Sequence, residues 1–382
     1  MDFALNDEQK MMIDTIRRFI AEELHPLEDA LENTGTLPEA DAHRIHAKAK
    51  ELGLYALNMP AELGGGGLSN LDRIICEEQF GHTSDMLIRR AFGNVYEPLL
   101  HCKGEQVERW LKPAVEGTRT CAITITESGA GSDAAGIKTH AKRNEQGQWV
   151  LNGSKHFISD GIWSDFFLVS AKTGEKEISM FMVDKGLPGF TVGKDQAMMG
   201  LRGTPHLELF FDNVELTEAD VLGEVGKGFN ILFDTLNPER IILSGLCTGV
   251  GRFALKKAVA YANDRKVFNN TPIGAYQGVQ HPLAIARSEI EMASLMALKA
   301  AWAFDQGLPA GEFSNIAKYA GAEAGIHAVD AAIQTHGGNG FTKEYGIYDL
   351  YGLVRLLRTA PLNRELVLNY IAEHVMGLPR SY

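Results

Sequence analysis

The segment TCAITITE, residues 120–127, marks the point at which the residue pattern of the chain changes. It is rich in β-branched residues, which is typical of a strand. Four similar segments follow, with turn signals such as EQG and KGLPG between segments: WVLNGSKHFIS (149–159), DFFLVSA (165–171), ISMFMVD (178–184) and HLELFFDNVEL (206–216). Since no useful helical pattern separates these strands, the sequence predicts an antiparallel barrel or sandwich.

Helical patterns occupy the chain on both sides of this β segment. In LNDEQKMMIDTIRRFIAEEL (5–24) apolar residues recur at helical spacing, and Asn6 followed by Gln9 resembles a capping box. Long helical segments return from about residue 226 and favour a four-helix bundle. We therefore predict an α+β multidomain fold with an N-terminal α-helical domain (1–118), a middle antiparallel β domain (119–225) and a C-terminal helical bundle (226–382).

Composition limits the possible functions. A length of 382 residues fits two or three domains, and the formal net charge of −12 without any basic run argues against binding to nucleic acid or to an anionic membrane. The four cysteines form no C-x-x-C pair and the histidines show no ligand spacing, so we predict no metal site. Because neither a signal peptide nor an apolar run of about 18 residues is visible, we expect a cytoplasmic or organelle-matrix protein.

The segment NPERIILSG, residues 237–245, admits two interpretations. It can start a helix, with Asn237 capping the first amides, Pro238 at the first helical position and Glu239 stabilised by the helix dipole. Alternatively, Glu239 is a general base that takes a proton from a bound substrate. The segment on its own favours the structural interpretation.

Two loop segments indicate a ligand pocket in the β domain. TESGAGSDAAG (126–136) combines small residues with Thr126 and Ser132, so backbone amides and hydroxyls can approach a phosphate or a polar ring. A tight turn explains the same pattern equally well. In KHFISDG (155–161), Phe157 and Ser159 could add an aromatic wall and a hydroxyl to the same pocket.

Two further glycine patterns lie in the helical part. QTHGGNGF (334–341) fits a helix C-cap at Gly337, but its three glycines exceed what a cap needs and suggest a backbone that lies against a ligand. TGVGRFA (248–254) has the G-x-G-x-x-A spacing of a dinucleotide fold. Because no second buried strand with an acidic end follows it, we interpret this segment as a helix-packing face.

Taken together, these segments resemble the acyl-CoA dehydrogenase family over essentially the whole chain. The resemblance is carried by five ordered pieces: ITITESGAGSDAAGIKTHAKR (123–143), WVLNGSKHFISDG (149–161), MGLRGTPHLELFFDNVEL (199–216), GFNILFDTLNPERIILSG (228–245) and QTHGGNGFTKEYGIY (334–348). It implies a helix–sheet–helix flavoprotein with FAD between the β domain and the C-terminal helices.

The resemblance also implies roles for individual residues. The Ile125 backbone and Thr126 would meet the pyrimidine edge of the flavin, and Ser132 would serve the cofactor phosphates and the CoA arm of the substrate. Phe157 and Ser159 stand where the family usually has tryptophan and threonine beside the flavin ring. Further positions match segments that reach the FAD of a neighbouring protomer, which implies a homotetramer or at least a homodimer; they are Arg265, Phe268, Gln277, Gln334, Gly337 and Gly338.

The catalytic base is the main departure from the family pattern. Most members place a glutamate near the C-terminus, where the corresponding residue here is Pro361, which cannot accept a proton. The isovaleryl-CoA and long-chain branches instead use a glutamate immediately before an arginine, as in Glu239–Arg240. The resemblance therefore implies that Glu239 is the base and that Asn237 and Arg240 bind the substrate.

Pro361 also removes a backbone N–H that helps to bind the thioester oxygen in the family. Either Ala360 or Leu362 donates this hydrogen bond here, or the contact is rebuilt elsewhere.

The resemblance implies α,β-dehydrogenation of an acyl-CoA, with electrons passed to an electron-transfer flavoprotein. One alternative keeps the fold but uses oxygen, as in acyl-CoA oxidases or flavin N-hydroxylases. Another is a non-catalytic flavin-bearing scaffold that binds DNA, against which the net charge of −12 counts.

Overall fold

A computed structural model describes residues 4–93 and 95–380, apart from the side chains of residues 234, 235 and 237. The first part of the chain is helical, as predicted. Asn6 and Gln9 form the predicted capping box, with the Gln9 N–H donating to Asn6 Oδ1 at 2.8 Å. The α-helices of this part are α1 (Asp7–Phe19), α2 (His25–Thr34), α3 (Glu39–Glu51), α4 (Asn70–Phe80), α5 (Asp85–Phe92) and α6 (Lys112–Glu116).

An eight-stranded sheet follows in the described part of the chain. Its strands are β1 (Cys121–Thr124), β2 (His140–Arg143), β3 (Trp149–Ser159), β4 (Phe166–Lys172), β5 (Ile178–Asp184), β6 (Phe190–Asp195), β7 (His206–Leu216) and β8 (Val221–Leu222). The strand order is β6–β7–β3–β2–β4–β5–β8, with β1 paired to β4. Most neighbouring strands are antiparallel, as predicted, but the β1–β4 pair is parallel and a single parallel pair joins β2 to β4.

Strands β4 and β5 are buried on both faces. On β4, Phe166 and Leu168 pack against Trp110 from the N-terminal helical part. The alternate residues, including Phe167, pack against Leu151 of β3 and other residues of β3 and β7. The sheet therefore folds over its own core like a sandwich while its other face covers the helices.

The C-terminal part is the predicted helical bundle. Its helices are α7 (Gly228–Asp264), α8 (Gln277–Asp305), α9 (Gly311–His336), α10 (Tyr348–Leu357) and α11 (Arg364–Tyr370), and a two-stranded ribbon, β9 (Lys266–Val267) with β10 (Thr271–Pro272), joins α7 to α8. α7 packs against α8, α9 and α10, and also against α4. The domain boundaries at 118/119 and 225/226 stay predictions, although α6 ends at Glu116 and β1 begins at Cys121.

The glycines of TGVGRFA form the helix-packing face that the sequence predicts. A Cβ added to Gly249 would lie 2.0 Å from the backbone oxygen of Glu78 on α4, and one added to Gly251 would lie 2.4 Å from Ile290 on α8. Both residues are inside α7, so the pattern does not open a dinucleotide fold. Small residues at these positions let α7 approach two neighbouring helices closely.

Candidate active site

Glu239 lies inside α7 and not at the start of a helix. α7 begins at Gly228 and continues through Pro238, so the predicted helix start at Asn237 is wrong. The apolar residues of 228–236 extend the helix upstream, and their packing outweighs the hydrogen bond that Pro238 cannot donate. The helix dipole does not stabilise Glu239, since its effect is limited to the first turn. The side chain of Asn237, a predicted substrate contact, lies outside the described residues.

The Glu239 carboxyl group is partly buried among other charged groups. Burial raises its pKa to about 7, and the nearby Glu97 carboxylate contributes to the increase. The cationic groups of Arg240, Arg89 and Lys318 act in the opposite direction but do not cancel it. A carboxyl group with this pKa can accept a proton near neutral pH, which a general base must do.

Arg89 belongs to a charged cluster that sequence reasoning missed. Its guanidinium donates to Asp85 Oδ2 and to Asp160 Oδ2, each at 2.8 Å. Burial raises the pKa of the adjacent Tyr96 above its usual range, and Asp160 and Glu239 add to that increase. The cluster ties α5 to the turn after β3, and its Arg89 guanidinium is close enough to Glu239 to lower the pKa of that carboxyl group. The i, i+4 spacing of Asp85 and Arg89 is the sequence signal that could have indicated part of it.

The turn between α10 and α11 contacts the predicted cofactor loop of the β domain. Asn363 donates from Nδ2 to Ser132 Oγ at 2.7 Å and accepts at Oδ1 from the Leu366 N–H at 2.8 Å, which caps α11. Arg358 Nε lies 2.8 Å from Glu323 Oε1 on α9. This turn is therefore held at both ends, and Ser132 lies beside it.

One of the two predicted oxyanion donors is already used in a hydrogen bond. The Ala360 N–H donates to the Leu356 oxygen at 2.9 Å and is thus engaged within the end of α10. Lys318 on α9, which is almost fully buried, donates from Nζ to the Leu357 oxygen and caps the same helix end. The Ala360 N–H is therefore not available to a thioester oxygen, and the alternatives of Leu362 or a contact rebuilt elsewhere stay predictions.

The predicted cofactor residues of the β domain lie on neighbouring segments. The Thr126 oxygen accepts from the His156 N–H at 2.9 Å, so the loop after β1 runs beside the part of β3 that carries Phe157 and Ser159. A bulge between Lys155 and Ile158 interrupts β3, and Phe157 has φ +57° with 47% of its surface exposed. Bulges and positive φ values often orient side chains at functional sites.

The second group of predicted cofactor residues lies elsewhere, at the far end of the bundle. Tyr261 near the end of α7 stacks on His336 at the end of α9, with ring centroids 4.3 Å apart. This contact places the segment after α7 beside the segment after α9. Phe268 lies in the segment after α7 and is 80% exposed. Glu239 and Arg265 are 26 residues apart on and just beyond α7, about 39 Å along the helix axis. This second group comprises Arg265, Phe268, Gln277, Gln334, Gly337 and Gly338.

Comparison with known proteins identifies the family. Three domain models of acyl-CoA dehydrogenases match the chain: the N-terminal domain over residues 6–118, the middle domain over 122–214 and the C-terminal domain over 226–376. The chain belongs to the acyl-CoA dehydrogenase family. It has the three-domain fold of that family and is an FAD-dependent oxidoreductase.

Individual relatives extend this assignment. The acyl-CoA dehydrogenase FadE12 of Mycobacterium tuberculosis H37Rv is 39% identical over 348 residues, covering 88% of this chain and 89% of the relative. A 3-(aryl)acrylate reductase of Clostridium sporogenes is 33% identical and covers 97% of this chain and 99% of its own length. Among solved structures, butyryl-CoA dehydrogenase of Megasphaera elsdenii superposes with a TM-score of 0.90 at 29% identity, covering 98% and 100% of the two chains.

The residues present fit the FAD of an acyl-CoA dehydrogenase. The space beside Gly129 and Gly131 is open, because a Cβ built at either position meets nothing within 4 Å. A ligand can thus approach the backbone of the loop that carries Ser132. The exposed ring of Phe157 offers an apolar surface next to that loop.

None of the helices in the described part of the chain has the length and apolar character needed to span a membrane. Within the same residues, no group of three or more His, Cys, Asp or Glu side chains is arranged to hold a metal ion.

Proposed function

We propose that the enzyme removes the α-proton and the β-hydride of an acyl-CoA thioester to form the 2,3-enoyl-CoA, with Glu239 as the base. The observation that carries this proposal is a partly buried carboxyl group, that of Glu239, whose pKa is raised to about 7. In the reaction the α-carbon loses its proton to Glu239 and a double bond forms between the α- and β-carbons. Bound FAD supplies the acceptor for the two electrons and the hydrogen that leave the β-carbon.

The remaining site residues hold the reacting groups. We assign the Ile125 backbone, Thr126, Phe157 and Ser159 to the flavin ring, because the β1 and β3 segments that carry them are adjacent. Ser132 serves the phosphate and CoA side. The thioester oxygen develops negative charge when the α-proton leaves, so a backbone N–H there accelerates the step.

We assign Arg240 and Leu362 to the binding of the substrate. Arg240 lies next to Glu239, and burial lowers the pKa of its guanidinium, although Tyr370 and Glu239 oppose that change. Leu362 is the proposed donor to the thioester oxygen, since the Ala360 N–H is already used within α10. The Asn237 assignment stays a prediction from sequence.

We further propose a homotetramer in which a second protomer completes each FAD site. The supporting observation is the separation of about 39 Å between Glu239 and Arg265 along the axis of α7. The exposed aromatic rings of Phe268 and Phe341 at that end of the bundle are the kind of surface that a partner and a cofactor cover. Location in the cytoplasm and transfer of electrons to an electron-transfer flavoprotein are part of the same proposal.

Anaerobic mixing with a panel of acyl-CoAs tests the function. The FAD-loaded enzyme is mixed with butyryl-, isovaleryl-, octanoyl-, palmitoyl- and 3-phenylpropionyl-CoA, and flavin absorbance near 450 nm is followed. We expect at least one thioester to bleach the flavin and to yield the matching enoyl-CoA. Recovery of absorbance on adding an electron-transfer flavoprotein, but not on adding air, supports the proposed acceptor. Rapid recovery in air identifies an oxidase, and no bleaching by any thioester contradicts the proposal.

A further inference from the structure

Lys155 carries an unusually buried charge in the β domain. Its side chain on β3 is 0% exposed, and its ammonium group donates to three oxygens. These are the backbone oxygen of Ile125 at 3.0 Å, Oε1 of Glu127 at 2.9 Å and Oγ of Ser170 at 3.2 Å. The three N–H groups of the ammonium therefore each have an acceptor, as a buried charge requires.

Glu127 extends this network along the loop after β1. Its carboxylate accepts from the Lys138 N–H at 2.6 Å and from the Thr139 N–H at 3.0 Å. Burial lowers the pKa of Lys155 to about 8, although Glu127 opposes that decrease. The start of the segment between β1 and β2 is thus bonded directly to the buried ammonium group, and its end is bonded to that group through the Glu127 carboxylate.

The bond from Lys155 to Ile125 also sets the direction of the Thr126 N–H. Ile125 C=O and Thr126 N–H belong to one peptide unit, which is planar and trans, so the two groups point in opposite directions. The carbonyl points to the buried ammonium group, and the N–H therefore points away from the domain interior. Among the hydrogen bonds of the described residues, this N–H has no acceptor.

We propose that Lys155 is a positioning residue for the cofactor: its ammonium group fixes and polarises the Ile125–Thr126 peptide, so that the Thr126 N–H is presented to FAD as a strengthened donor. This inference rests on the proposed function, because that function assigns the peptide to the pyrimidine edge of the flavin. A cation that donates to a carbonyl strengthens the N–H donor at the other end of the same peptide.

A strengthened donor has a larger effect on reduced than on oxidised flavin. Reduction adds electrons to the ring system and places negative charge at the pyrimidine edge, and hydrogen bonds to charged acceptors are about twice as strong as neutral ones. Loss of Lys155 should therefore weaken the binding of both forms, and that of the reduced form more. A tenfold difference between the two losses corresponds to a decrease of about 30 mV in a two-electron reduction potential.

The test uses the double variant Lys155→Met/Glu127→Gln, which removes the ammonium without leaving an unpaired buried carboxylate. A control is Arg252→Met/Glu78→Gln, which removes a partly buried ion pair between α7 and α4, outside the β domain, together with the contact of Arg252 with Glu291 on α8. For both variants and the unmodified full chain, the dissociation constant of FAD is measured by fluorescence on apoprotein. The midpoint potential of the bound flavin and the melting temperature are measured in parallel.

We expect the Lys155→Met/Glu127→Gln variant to bind oxidised FAD about tenfold more weakly and to have a potential about 30 mV lower. The control should show a lower melting temperature with FAD affinity and potential within twofold of the unmodified protein. If the Lys155 variant changes only the melting temperature, the network is purely structural and the inference is wrong. The single variant Ser170→Ala keeps the Lys155 ammonium group. If it lowers the flavin potential as much as the double variant does, positioning by the ammonium group is also refuted. Failure of the unmodified chain to bind FAD would instead contradict the proposed function.

Discussion

Replacing Glu239 with glutamine should remove catalysis and at the same time stabilise the fold. A shift of the Glu239 pKa from 4.5 to about 7 corresponds to a cost of about 3 kcal/mol for the charged form in the folded protein. Between these two pKa values the folded protein keeps a proton that the unfolded chain releases, so the stability contribution of Glu239 falls as pH rises through this window. Glutamine is neutral at every pH. The variant should therefore gain about 3 kcal/mol at pH 8 but only about 1 kcal/mol at pH 5.

The assay combines melting curves at pH 5 and pH 8 with anaerobic flavin bleaching at saturating acyl-CoA. Removing a general base should lower the bleaching rate by about 10²- to 10⁴-fold while the protein stays yellow. In the unmodified enzyme, the rate should rise about tenfold per pH unit below pH 7 and level off above it.

Glu77→Gln is the matched control for this experiment. Glu77 on α4 is a second carboxyl group whose pKa burial raises to about 7, with Glu97 adding to the increase and Arg73 opposing it. Its variant should gain stability at pH 8 in the same way and leave bleaching unchanged. Bleaching of Glu239→Gln at the unmodified rate, or a bleaching rate that does not change between pH 5 and pH 8, would refute the assignment of the base.

Three further changes test the packing around the site. Asp160→Asn leaves the Arg89 guanidinium with one carboxylate partner instead of two. It should destabilise the fold by about 2–3 kcal/mol and lower the melting temperature. An unchanged melting temperature would mean that solvent replaces the lost partner. Gly249→Val places a side chain against the Glu78 backbone oxygen. We expect thermal melts to show that the free energy of unfolding falls by about 3 kcal/mol or more. A valine that leaves the stability unchanged would show that α7 and α4 can move apart. Asn363→Ala removes the cap of α11, which should lower the stability of the fold by about 1 kcal/mol, and it also removes the hydrogen bond to Ser132. We therefore expect the KM for acyl-CoA or the FAD dissociation constant to rise. If neither constant changes, this contact does not shape the ligand site.

The fold could be predicted because periodicity is a local property of the sequence. The change at TCAITITE from helical spacing to short segments rich in β-branched and aromatic residues corresponds to the boundary between the first six helices and the sheet. The capping box of Asn6 and Gln9 and the close packing at Gly249 also depend on residues near one another in the chain. The parallel β1–β4 pair was missed, because pairing of distant strands leaves no local signal.

The start of α7 was predicted at the wrong place for a physical reason. Local rules assign Asn237 and Pro238 to a helix start, and they hold when a helix end is exposed. Here the helix continues through Pro238, since packing of the long α7 against four other helices outweighs one missing hydrogen bond.

By itself, the sequence determined the order of helices and strands, the small-residue packing face and the candidate base, because each depends on neighbouring residues or on one matched motif. Only the tertiary structure decided which charges surround Glu239, that Ser132 meets Asn363, and that Lys155 lies under the Ile125–Thr126 peptide. These contacts join residues from 30 to more than 200 positions apart. A charge is buried or solvated, and its pKa shifted, only after the chain has brought such partners together, and no local pattern contains that information.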